Sequence, residues 1–134
     1  MLLTAKEAND KLAEKARERE EKSRKCYFRN PYNSDDFSMD EEYVNKCIKD
    51  SIKGGYGHAF VVRGTLTEYG FNRLREAGYY IIKNYPFPRS VDFNNEFTYN
   101  RGTKICFSEQ VLRDLVNELS VNGLTGWEIM TSYE

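Results

Sequence analysis

No aromatic ring occurs before Tyr27, although ten Tyr, eight Phe and one Trp occupy the rest of this 134-residue chain. Residues 1–25 carry fourteen charged side chains, so this segment cannot fold by burying itself. It must project, pack on the remainder or meet a partner. Histidine is nearly missing as well: with His58 alone, no HExxH zinc helix and no two-histidine relay can be built. GxSxG, Walker and GxGxxG sequences are absent, which removes the common signatures of α/β-hydrolases, P-loop enzymes and dinucleotide-binding enzymes. The three cysteines, Cys26, Cys47 and Cys106, are odd in number and form no CxxC pair. A secreted disulfide framework shows an even count, and structural zinc draws on closely spaced ligand pairs, so both are disfavoured. Cys106 with His58 would be the one conceivable nucleophile–base pair, but Cys106 alternates with Ile105 and Phe107 in an apolar strand.

Long apolar runs are missing too. None approaches the roughly 18 residues needed to span a bilayer. The opening Met-Leu-Leu-Thr becomes charged at Lys6, with no apolar core of a signal peptide. The formal net charge is −1, so no global field draws the chain to nucleic acid or membranes. The composition therefore leads to the expectation of a soluble, cytoplasmic, non-enzymatic protein with no metal and no cofactor.

What is present falls into two parts: a charged helical arm over residues 1–25 and a single α+β domain over residues 26–134. In the arm, Thr4-Ala-Lys-Glu7 has the spacing of a capping box. From there to Arg24 there is no Gly or Pro, and Glu18–Lys22, Glu20–Arg24 and Glu21–Lys25 sit four apart with the acid first. The apolar stripe Ala5, Ala8, Leu12, Ala16 is thin; a helix of this kind docks loosely, or joins copies of the chain through residues 4–25. A break over residues 26–38 precedes a second helix, capped by Ser38 with Glu41 and presenting Tyr43, Val44, Cys47, Ile48 and Ile52 on one face until Gly54-Gly55 stops it.

The remainder contains one layout twice. His58–Arg63 is a strand, Thr65 or Thr67 caps a helix with Phe71 and Leu74 inward, Gly78 ends it, and Tyr79–Tyr85 is a strand that Pro86 and Pro88 keep from pairing further. Thr103–Phe107 is again a strand, Ser108 caps a helix with Leu112, Leu115 and Leu119 inward, Gly123 ends it, and Trp127–Ser132 closes the chain. Between the units, Glu96–Tyr99 and Thr103–Phe107 flank a turn at Asn100-Arg-Gly102. The expected body is thus a ferredoxin-like split βαβ arrangement: four or five mainly antiparallel strands, two helices against the sheet, and two further helices N-terminal to it.

Two surfaces stand out. Residues 84–95 join Tyr85, Phe87 and Phe93 to Arg89, Asn94 and Asn95 in a Pro-braced segment, with Arg101 nearby. Rings with few rotors beside directed hydrogen-bonding groups are the composition of a recognition surface. Lys53-Gly-Gly-Tyr-Gly-His-Ala-Phe-Val-Val62 partly resembles the basic–Gly–aromatic strand of the RNA-recognition-motif family, departing from it by the extra Gly54 and by His58-Ala59. That resemblance implies stacking of unpaired bases on Tyr56, His58 and Phe60. In general style the chain resembles the small accessory proteins of bacteriophages: a charged starting helix, no catalytic constellation, aromatic loops. This resemblance implies a protein that inhibits a host protein or sequesters a small nucleotide ligand, as in counter-defence. An RNA-binding module and a structural subunit of a virion or host complex are the alternatives.

Overall fold

A computed structural model of the chain describes residues 1–29, 39–61, 64–91 and 97–133. Helix α1 spans Ala5–Arg24, and Thr4 and Glu7 bond at its start, the Glu7 amide donating to Thr4 Oγ1 at 3.2 Å. Side-chain pairs Arg24–Glu20 (2.7 Å), Lys25–Glu21 (3.5 Å) and Lys15–Glu18 (3.4 Å) run along it. Every described side chain up to Lys25 is exposed, Leu12 included, so α1 gains little from packing. Its twenty residues form a rod of about 30 Å.

The next elements tie the arm's end to the body. Strand β1 (Phe28–Arg29) lies in the stretch that reads as a break in the sequence, whose residues 30–38 fall outside the described part. Helix α2 spans Glu41–Lys53, and its cap is Asp40, whose carboxylate accepts from the Tyr43 amide at 3.1 Å. Asp40 takes the place expected for Ser38. Strand β2 (His58–Val61) leads to β3 (Thr65–Leu66), which pairs antiparallel with β1, and then to α3 (Glu68–Glu76), capped by Thr67. Strands β4 (Tyr80–Val91) and β5 (Phe97–Cys106) form a long hairpin; α4 (Glu109–Val121), capped by Ser108, and β6 (Glu128–Met130) complete the chain.

Two expectations about the hairpin are corrected. Residues 100–102 are not a turn but the middle of β5, and Pro86 and Pro88 remain in the ladder opposite Arg101 and Tyr99. The reason lies at the sheet edge. Strand β6 covers β4 only at Ile81–Lys83, so beyond it β4 is an edge strand. Prolines two residues apart lack their N–H on the same side, and an open edge tolerates that.

The sheet order β2-β5-β4-β6, antiparallel throughout, confirms an α+β body and departs from the expected ferredoxin-like layout. Strands β2 and β4 both oppose β5 and so run parallel to each other, as do β5 and β6 on either side of β4. Each βαβ unit therefore straddles one strand. Both units step in the same direction along the sheet, but their strands run in opposite senses. Right-handed crossovers then place the two helices on opposite faces. The packing agrees. Ile81 and Ile105 join Val44 and Ile48 of α2 and Phe71 and Leu74 of α3, while their chain neighbours Ile82 and Cys106 join Leu112 and Leu115 of α4. With a helix layer on each side, β4 and β5 are buried on both faces at this level, as the consecutive Ile81-Ile82 and Ile105-Cys106 require.

Candidate functional site

The face covered by α4 carries the most unusual chemistry. Cross-strand register aligns Phe60 with Lys104 and Lys104 with Ile82, and one pleat along aligns His58 with Cys106 and Cys106 with Tyr80. Paired residues share a face, so His58, Phe60 and Lys104 all lie on the α4 side. Residue 85 would alternate to the other side of an uninterrupted strand. A register shift between Ile82 and Tyr85, with Asn84 at φ 55°, inserts one residue and pairs Tyr85 with Gly102. Tyr85 and Phe87 are thereby brought onto the face of Phe60 and Lys104. Gly102, two residues before Lys104 on that face, carries no side chain there.

The result is a cluster of rings around a cation. Phe60 lies 5.8 Å from Tyr85 and 5.4 Å from Phe87, centroid to centroid. Lys104 Nζ sits 5.0 Å from the Phe60 centroid and 4.6 Å from that of Tyr85. Lys104 is only 6 % exposed, whereas Phe87 is 47 % exposed. Among the described residues no acceptor bonds to Nζ and no carboxylate pairs with it; ring quadrupoles supply its compensation. Nor is any buried side-chain nitrogen or oxygen sealed without a partner among these residues, so the ammonium keeps contact with solvent.

Electrostatics follow from burial. Desolvation lowers the pKa of Lys104, opposed by Cys106 where that thiol is ionised and by the Glu118 charge. His58 is lowered by desolvation and then by the Lys104 charge, with Glu118 of α4 opposing. Tyr85 is raised by burial, then by Glu118 and Cys106. Cys106, fully buried, is pushed up to about 11 by burial, Lys104 acting weakly against it. His58 and Cys106 are cross-strand partners, yet this thiol is held protonated, the opposite of what an activated nucleophile needs.

The sequence-predicted residues are thus redistributed. Tyr85 and Phe87 from one candidate set meet Phe60 from the other. Tyr56, 61 % exposed, contacts His58 at 5.8 Å and extends the row. Arg101 pairs with Pro86 on the other face, where its Nη1 donates to the Asn84 carbonyl at 3.0 Å; it does not join the patch. Arg89 lies within β4, and its side chain is outside the described part, as are Phe93, Asn94 and Asn95 altogether. Lys104 was missed by sequence reasoning. The available signal was a lone charge inside Thr103-Lys-Ile-Cys-Phe107, a strand otherwise without one.

Elsewhere, a groove of about 530 Å³ runs between the end of α1 and the start of α2, lined by Glu18, Glu21, Lys22, Asp40 and Tyr69 among others. All three cysteines are free, and no cluster of three His, Cys, Asp or Glu able to hold a metal occurs among the described residues. No described helix is long and apolar enough to cross a membrane. No protein-family model, curated protein or solved structure matches the chain.

Proposed function

We propose that the protein is a non-enzymatic binding protein, an inhibitor or sequestering factor of the phage-accessory kind acting in the host cytoplasm, and that it captures its partner on the α4 face. One observation carries this reading: Phe60 and Tyr85, distant in sequence, meet over Lys104, and Phe87 packs on Phe60 with its own ring left half in solvent. Aromatic anchors grouped beside a desolvated charge are the usual make-up of an energetic centre in a binding surface. The test is retention from bacterial lysates by the tagged chain beside a Phe60→Ala, Phe87→Ala double variant, scoring both proteins and nucleotides. Specific species held by the first and lost by the second support the reading. Equal retention by both, or nothing specific across several phage–host lysates, overturns it.

A second reading, binding of single-stranded RNA, is favoured by His58 and Phe60 at alternate positions of β2, about 7 Å apart along an extended chain, with the Tyr56 ring 5.8 Å from that of His58. Absence of any mobility shift with single-stranded RNA at low salt would remove it.

A further inference from the structure

We propose that the ligand of this face is a nucleoside phosphate, its base stacked on Phe60 and Phe87 and its phosphate drawn to Lys104; this rests on the binding reading above and gives it a substrate class. Three features call for a ligand with both an aromatic plane and a negative charge. Lys104 is more than nine-tenths buried, and among the described residues its ammonium has rings beside it but no carboxylate at ion-pair distance, Glu118 acting on it only from farther away. A phosphate beside Nζ would supply that close opposite charge, in surroundings where it is weakly screened.

The half-exposed ring of Phe87, tilted 33° to Phe60, offers an apolar plane next to the ring that Lys104 contacts. A purine or pyrimidine can lie on such a plane irrespective of sequence, gaining on the order of 1–3 kcal/mol per base. Gly102, paired with Tyr85 on the same face, carries no side chain there to compete with a ligand. Neither an inorganic anion nor an uncharged ring would use both halves.

The titratable neighbours are compatible with an anion at Lys104. Glu118 of α4 acts electrostatically on both Lys104 and His58, without an ion pair to either, and Lys104 acts on His58. His58, kept neutral by burial and by Lys104, adds no second cation. Cys106 stays protonated beneath and brings no negative charge to compete with the phosphate.

Calorimetric titration of the full chain separates the sources. Adenosine 5′-monophosphate, adenosine, inorganic phosphate and a short single-stranded RNA are compared on the wild type, Lys104→Met and Phe87→Ala, each checked for an unchanged melting profile. The expected result is binding of the nucleotide at least about tenfold tighter than of nucleoside or phosphate alone. Lys104→Met weakens the nucleotide by about 30-fold or more and leaves the nucleoside unchanged, while Phe87→Ala weakens both. RNA tighter than the nucleotide, and weakened by both Lys104→Met and Phe87→Ala, supports the same chemistry with RNA as its source. No nucleotide or RNA binding by folded wild type, or equal binding by Lys104→Met, overturns the proposal. If a protein is still retained through Phe60 and Phe87 in that case, the binding reading survives and only the ligand class falls.

Discussion

Replacing Gly70 by alanine sets two physical effects against each other, and the structure decides the sign. Gly70 is a buried position in the first turn of α3, where helix propensity alone favours alanine by about 1 kcal/mol. A β-carbon there would stand 2.5 Å from the Tyr27 carbonyl oxygen, 2.7 Å from its Cα and 3.0 Å from its carbonyl carbon. Carbon atoms rest at about 3.5–4.0 Å, so α3 and the Tyr27 backbone must separate by nearly an ångström. No rotamer change relieves a clash with main chain. The separation also strains the tie holding α3 there, in which the Thr67 amide and hydroxyl donate to the Tyr27 carbonyl at 2.9 and 3.1 Å. Overpacking costs about 1–3 kcal/mol and each weakened hydrogen bond about 1 kcal/mol, against the propensity gain of about 1. The net expectation is a loss of about 2–4 kcal/mol, seen as a Tm roughly 6–16 °C lower by circular dichroism, with a matching shift in urea midpoint. Gly57→Ala is the internal comparison: its obstacle is a Val111 methyl at 2.9 Å, a side chain able to turn, so it loses less. A Gly70→Ala protein as stable as wild type would refute the reasoning, because propensity would then have outweighed main-chain contact.

Three further outcomes follow from individual features. Because burial raises the Cys106 thiol from its ordinary 9.0 to about 11, the unfolded chain ionises first, and stability falls as pH rises through that window by up to about 2–3 kcal/mol. Urea midpoints across the window measure this, Cys106→Ala should show a shallower fall, and an identical fall in both would refute it. Removing residues 1–24 should move stability by no more than about 0.5 kcal/mol, since the described side chains of α1 are all exposed; a drop of several degrees in Tm would show that the arm is held by the body. Asn84, at φ 55°, should accept glycine without loss, whereas valine there should cost about 1–2 kcal/mol in a thermal melt, because a β-branched side chain crowds the left-handed region.

Much of the fold was legible where the chain punctuates itself. Thr67 and Ser108 cap α3 and α4 as their spacing to the apolar stripes predicts, and Gly78 and Gly123 follow the helices at φ 95° and 68°. These signals act within a few residues, and local chemistry settles them. The hairpin was misread for the complementary reason. Asn100-Arg-Gly102 has turn residues and Pro86 and Pro88 have breaker residues, but what those residues do depends on which strands lie alongside. A proline is a breaker in a central strand and harmless at an edge, and the edge exists only because β6 is three residues long. Strand β1, two residues long, carries no periodicity at all, yet Phe28 within it is fully buried.

The candidate site shows the same divide at higher stakes. Its rings were visible in the sequence as two separate sets, one ending at Phe60 and the other beginning at Tyr85. What joins them is strand order, which places β5 between β2 and β4, together with one inserted residue at Asn84. Residues 82 and 85 are an odd number apart and would face opposite ways in a regular strand; the insertion puts both over α4. Strand order in turn follows from the direction of the second crossover. Had β6 returned beside β2 instead of continuing beyond β4, right-handed connection would have laid α4 on the face of α2 and α3. Lys104 would then have kept only its flanking rings, with no helix layer over its face. Its desolvation, and with it the case for an anionic ligand, arises because this chain departs from the ferredoxin-like order.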